Sequence, residues 1–360
     1  MSLNPKLRAR IRQDVQSMQA YAIQDSAGMI KLDAMENPFT LPPHLQTALG
    51  ERLGRLAINR YPGEGVHALR KALAQHVGMP SGYELMLGNG SDELISLLAM
   101  ACDVPGASIL APVPGFVMYA MSAQLQGLAF HGVPLTADFE LDLPAMLAAI
   151  EQHKPSIVHL AYPNNPTANL WDDAAIEAIV NAQGQQGGLV VMDEAYQPFA
   201  SKSYIDRMAA HPHVLLMRTL SKFGLAGVRL GYMIGPAALI AEIDKVRPPY
   251  NISVLNSECA LFALEHAEVF AQQAQVLREQ RAQLFKALQA LPGVTPFPSE
   301  ANMILVRFPD AARIFEGLKA SKVLVKNVSK MHPLLANCLR LTVGSPQENE
   351  QLMSALQRLC

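Results

Sequence analysis

Leu189-Val190-Val191-Met192 runs directly into Asp193-Glu194-Ala195-Tyr196, and on this stretch the reading of the whole chain turns. Four apolar residues, two of them β-branched, fit a strand buried on both faces, which places the acid at its carboxyl edge. A carboxylate in that position loses its hydration unless a cation or several donors meet it. Asp193 therefore serves either a cationic N–H brought by a ligand or the free backbone N–H groups of the next helix.

Working outward, comparable apolar runs at 108–111, 157–160, 214–217 and 230–234 alternate with amphipathic stretches such as 143–152 and 172–182. Leu143, Met146, Leu147 and Ile150 fall at helical spacing. That alternation predicts an α/β lobe built on a mostly parallel sheet flanked by helices, where ligands bind beyond the carboxyl ends of the strands. After Pro248-Pro249 the pattern changes to one long helical stretch, 255–290, then short strands at 302–308, 323–328 and 339–343 and a final helix. We therefore expect a helical, proline-rich arm over 1–45 that packs on a small lobe and closes over the site. A large domain should follow over 46–250 and a smaller α+β domain over 251–360.

A chain of 360 residues, half of them hydrophobic, exceeds the roughly 250 to 300 residues at which single cores stop growing, which supports two lobes. The 29 basic and 31 acidic residues nearly cancel, and no long run of either sign could follow a nucleic-acid backbone or an anionic membrane. No apolar stretch approaches the ~20 residues that span a bilayer, and the first fifteen residues lack the apolar core of a signal peptide. A cytoplasmic protein is expected. Cys102, Cys259, Cys338 and Cys360 form no CxxC pair, and the close histidines His211 and His213 have no carboxylate at metal-ligand spacing, so neither a disulfide framework nor a metal site is expected.

Several of the strands end in polar clusters. Gly88-Asn89-Gly90-Ser91-Asp92-Glu93 is a glycine turn feeding a helix, which suits a phosphate, although a side-chain cap from Asn89 or Ser91 explains it equally well. Arg218-Thr219-Leu220-Ser221-Lys222-Phe223-Gly224-Leu225-Ala226-Gly227-Val228-Arg229 could place a nucleophilic amine beside a phosphate site, or Lys222 could simply be solvated. Tyr162-Pro163-Asn164-Asn165-Pro166 either aims an asparagine into a cleft or makes a plain turn. Arg340, inside the apolar run Cys338-Leu339-Arg340-Leu341-Thr342-Val343, offers a planar fork to a carboxylate or makes an internal ion pair.

Taken together and in this order, these segments resemble the fold-type I pyridoxal-phosphate aminotransferases over nearly the whole chain. The resemblance implies a pyridoxal 5′-phosphate cofactor bound covalently by Lys222, which also shuttles a proton at the substrate Cα. It implies that Asp193 pairs with the ring nitrogen, that Asn165 and Tyr196 bond its phenolic oxygen, and that Phe116 stacks on its face. Gly90, Ser91, Asp92, Thr219, Ser221 and Arg229 would hold the phosphate, and Arg340 would clamp a substrate carboxylate.

Within that family, Leu32-Asp33-Ala34-Met35-Glu36-Asn37-Pro38, Asn59-Arg60-Tyr61-Pro62-Gly63, the Ser221 to Arg229 run and Asn337 to Gly344 resemble the subfamily that acts in histidine biosynthesis. Its members exchange amino groups between histidinol phosphate or imidazole-acetol phosphate and glutamate or 2-oxoglutarate. This likeness implies a homodimer in which Tyr61 reaches the neighbouring cofactor phosphate and contributes to the substrate site, with Tyr21 and Lys326 also near substrate. Three positions depart from the pattern: Ala168 stands for a glycine, Met35 for a frequent asparagine, and Lys326-Asn327 for Arg-Asp. An aromatic amino-acid aminotransferase or a phospho-amino-acid decarboxylase of the same fold would share nearly all the cofactor residues. A noncatalytic nucleotide-binding module would need only the glycine turn.

Overall fold

The computed structural model describes residues 4–18 and 24–360. Among these, the larger sheet contains β2 (Tyr83–Gly88), β3 (Ser108–Val113), β4 (Ala129–Pro134), β5 (Ile157–Ala161), β6 (Leu189–Asp193), β7 (Val214–Thr219) and β8 (Gly231–Pro236), in the order β2-β8-β7-β6-β5-β3-β4. The smaller sheet joins β1 (Ile30–Leu32), β9 (Thr295–Pro296), β10 (Met303–Arg307), β11 (Val323–Asn327) and β12 (Cys338–Thr342), in the order β1-β11-β12-β10-β9. In the larger sheet β8 runs antiparallel to both β7 and β2, and the remaining pairs are parallel.

The continuous apolar runs are explained by burial on two sides. Val190 and Met192 point into one core, with Leu69, Leu73, Ile176 and Ile179 from helices on that face. Val191 between them points into another, with Leu94, Leu98 and Tyr119. A period of two thus sends neighbouring residues to opposite helical layers. The flanking helices start where carboxylates cap them: Asp142 accepts from the Ala145 N–H at 3.0 Å, and Asp172 from the Ala175 N–H at 2.9 Å.

Two features differ from expectation. The helical stretch predicted over 255–290 is two helices, Val254–Glu265 and Ala267–Gln289, separated where His266 leaves helical geometry at φ −120°, ψ 34°. Neither proline nor glycine marks that break, so the apolar periodicity runs through it unseen. Strand β1, too short to show a period, pairs in parallel with β11, so part of the arm is an edge strand of the smaller sheet.

Beside Asp193, Glu194 is fully buried and accepts from Arg218 Nε at 3.0 Å and Nη2 at 2.8 Å, from the Ser203 hydroxyl and from the Tyr204 N–H. Removing one partner leaves the other charge buried and uncompensated. Arg218→Met is therefore expected to destabilise the fold by about 3–5 kcal/mol, read as a lower denaturation midpoint at unchanged slope. A change too small to measure would show that the pair does not hold this end of the sheet.

Candidate active site

Strands β5, β6 and β7 end side by side, and a cavity of about 380 Å3 opens beyond their carboxyl ends. Asp193 terminates β6 and is buried. One carboxylate oxygen accepts from the Tyr119 hydroxyl at 2.6 Å, the other from the Ala195 N–H at 3.1 Å. One oxygen thus fixes the local turn at Ala195 rather than capping the next helix, and the residue also lines the cavity. Burial raises the carboxyl to about 6 against the pull of those two donors, and the nearby Asp92 and Glu194 raise it further.

Lys222 follows β7 in a π-helical turn, Ser221–Leu225. The turn packs closely because Gly224, at φ 138°, has no side chain; a Cβ there would lie 2.7 Å from the Phe270 ring. Lys222 Nζ donates to the Ala34 carbonyl at 3.0 Å and stands 5.9 Å from the centre of the Tyr196 ring. Burial lowers its ammonium to about 8, Arg340 and Arg229 push the same way, and Glu36 and Asp92 oppose. The amine is thus less basic than a solvated lysine, with roughly a tenth of it neutral at pH 7.

Asn165, beyond β5, donates to the Tyr196 hydroxyl at 3.0 Å, and its carbonyl oxygen accepts from Arg340 Nη1 at 2.7 Å. Arg340 Nη2 donates to the Asp33 carbonyl at 2.8 Å, so the guanidinium is anchored between the two sheets. Burial raises the Tyr196 phenol well above its usual value, which keeps it protonated and able to donate.

At the other end of the cavity the helix Ser91–Ala101 begins after Gly90, at φ 81°, and no side chain caps it. Glu93 instead accepts from the Asn89 N–H at 2.8 Å. Arg229 lies across this helix start: its Nη1 donates to the Ser221 hydroxyl at 3.2 Å, and its Nη2 is 3.6 Å from Asp92. The left-handed φ of Gly90 favours glycine there, and a Cβ on Gly231 would lie 2.7 Å from the Ser91 backbone nitrogen, which cannot give way. Thr219 completes the group by donating to the Ser221 hydroxyl at 3.0 Å.

Ser91, Asp92, Phe116, Asn165, Asp193, Tyr196, Thr219, Ser221, Lys222 and Arg229 thus line one cavity, with Gly90 behind the end crossed by Arg229. These residues fit the implied cofactor: a buried acid short of a cation, a lysine of depressed basicity, and an uncapped helix start crossed by an arginine. Lys326 and Arg340 line an adjoining cavity of about 550 Å3 that shares Lys222, Asp92 and Phe116 with the first. Tyr61 is in neither; it is exposed and stacks on Tyr250 at 4.6 Å. Tyr21 lies outside the described residues.

Sequence reading gave no role to Tyr119, whose only signal is its position one helical turn after Phe116; the two rings meet edge to face at 5.6 Å. It also passed over Ala34, Glu36 and Lys31, which the arm delivers to the cavities. Two of the departures acquire a common meaning here. Ala168 has φ 65° and Met35 φ 53°, left-handed conformations that glycine and asparagine adopt most readily.

The chain matches the family model for aminotransferase class I and II over residues 27–356. It is 75% identical, over 99% of its own length and 98% of the relative's, to a histidinol-phosphate aminotransferase of Polaromonas naphthalenivorans. The fold is that of a Sinorhizobium meliloti histidinol-phosphate aminotransferase solved in complex with pyridoxal-5′-phosphate (TM-score 0.85, 24% identity, 98% of this chain and 97% of that one). It is also that of an L-threonine-O-3-phosphate decarboxylase from Porphyromonas gingivalis (TM-score 0.77, 22% identity, 92% and 99%), so the fold alone selects no reaction. The family match over most of the chain does select one, and the chain is a member of the class I and II aminotransferase family.

Proposed function

We propose that this aminotransferase converts L-histidinol phosphate and 2-oxoglutarate into imidazole-acetol phosphate and glutamate, a step of histidine biosynthesis carried out in the cytoplasm. Pyridoxal 5′-phosphate is the cofactor, and when bound it supplies the electron sink for negative charge at the substrate Cα. Lys222 would hold that cofactor through its amine, and the same amine, in the cavity, would remove and return the proton at the substrate Cα. Asp193, its carboxylate fixed by the Tyr119 hydroxyl, would hold the ring nitrogen in its protonated form. Tyr196 and Asn165 would orient the ring, Phe116 would pack against it, and Arg229, Ser221, Thr219 and the helix start at Ser91 would hold its phosphate.

The observation that carries the choice of substrate is the second cavity. It opens beside Lys222 and is lined by Lys326 and Arg340, which gives a phosphorylated side chain both room and positive charge. The test is a spectrum of the purified protein with cofactor. Histidinol phosphate should discharge the visible absorbance of the lysine-bound cofactor, and 2-oxoglutarate should restore it. Preference for phenylalanine over histidinol phosphate would overturn the substrate assignment.

The proposal extends to a homodimer. Tyr61 stacks on Tyr250 at the surface, close to the exposed Ile58 in sequence and outside its own chain's cavity, where a second copy could receive it. Sedimentation measures this directly, and a monomer at working concentration would refute it.

A further inference from the structure

We propose that Lys31 is a third cation of the substrate-phosphate site, held by Glu36 until a phosphorylated substrate takes it over. The inference rests on the histidinol-phosphate reading and adds to it a residue outside the motifs that carry that reading.

Lys326 lies directly opposite Arg340 in the antiparallel pair β11–β12, and Lys31 lies opposite Leu324 in the parallel pair β1–β11. Leu324 and Lys326 are two residues apart and so share a face of the sheet. Lys31, Lys326 and Arg340 therefore project from the same face of three adjacent strands, and all three line the cavity that also contains Lys222. Asp33 and Asp92 line the same cavity and offset part of this charge, and an anion placed on the face of the three cations would still gain from all of them. A phosphate monoester, which carries close to two negative charges at neutral pH, is such an anion.

Lys31 Nζ bonds Glu36 Oε2 at 2.5 Å, but both side chains are about one-third exposed or more, at 34% and 42%. An ion pair so open to water is weakly held. A phosphate inside the cleft offers more acceptor oxygens and more charge in a drier setting, which favours transfer of the ammonium from the carboxylate. Arg340, by contrast, is fixed by Asn165 and the Asp33 carbonyl. Lys31 therefore supplies a mobile contact and Arg340 a fixed one.

The experiment uses the cofactor-loaded enzyme with two readouts: inorganic phosphate binding by calorimetry, and KM for histidinol phosphate against histidinol, the same donor without phosphate. Lys31→Met is expected to weaken phosphate binding and raise KM for histidinol phosphate by about tenfold or more, with kcat and the KM for histidinol little changed. Lys31→Arg should restore most of both, and Glu36→Gln, which releases Lys31, should tighten phosphate several-fold. Lys31→Met with unaltered phosphate affinity would overturn the inference, as would a Glu36→Gln enzyme that binds phosphate no more tightly. If the unmodified enzyme shows no preference for histidinol phosphate over histidinol, the substrate reading itself fails; the calorimetric arm still judges Lys31.

Discussion

Lys222→Ala is expected to lower transamination by about three orders of magnitude or more while leaving the cofactor able to bind. The structure places the amine in the cavity beyond β7 and within reach of the arm, 3.0 Å from the Ala34 carbonyl. Its basicity is lowered to about 8, chiefly by burial, so near neutral pH it can exchange protons at a carbon acid and still attack a carbonyl carbon. General-base catalysis alone contributes roughly 10²–10⁴-fold, and covalent attachment adds to that. The proposed phosphate end does not depend on Lys222: Arg229, Ser221 and Thr219 keep their own bonds, and the helix start at Ser91 stays uncapped. Single-turnover rates and equilibrium binding measure the two effects separately. Near-normal turnover in the variant would show that another residue carries the chemistry.

Asp193→Asn is expected to weaken cofactor binding and to slow proton transfer by about two to four orders of magnitude, because a neutral amide cannot balance a ring cation in a buried site. The pH dependence gives a sharper signature. In the free protein burial holds the Asp193 carboxyl at about 6, and a cation brought next to it favours the ionised form. Below pH 6 the group must therefore lose a proton before it can pair, so binding of the protonated ring should strengthen as pH rises through about 6. The asparagine variant has no such proton to lose, and this component of the slope should vanish. An unchanged rate and an unchanged slope would remove Asp193 from the mechanism.

Much of this was legible along the chain. The runs ending in Asp193, Asn165 and Thr219 announced buried strands because residues packed on both sides must be apolar without interruption, and a polar residue closing such a run has to lie at an edge. The glycine turn before Ser91 and the small residues after Lys222 were visible for a related reason: only those side chains permit the close approaches seen at Gly90, Gly224 and Gly231. The partner of each group was not legible. Tyr119 meets Asp193 across 74 residues of sequence, and Arg340 meets Asn165 across 175, contacts that no local period encodes. Nor did the sequence choose between a capping and a ligand-binding role for Asp193, since that choice depends on which donors surround it.

By itself, then, the sequence determined the central strands, the edge at which they end and the residue types waiting there, because burial and backbone freedom act on each residue where it stands; the outer strands β1, β2, β4 and β9 took the structure to place. Tertiary structure alone decided that β1 docks beside β11 and brings Lys31 onto the same face as Lys326 and Arg340. A three-residue strand is too short to declare its neighbours, and the charge it brings acquires meaning only from the cations it is set against.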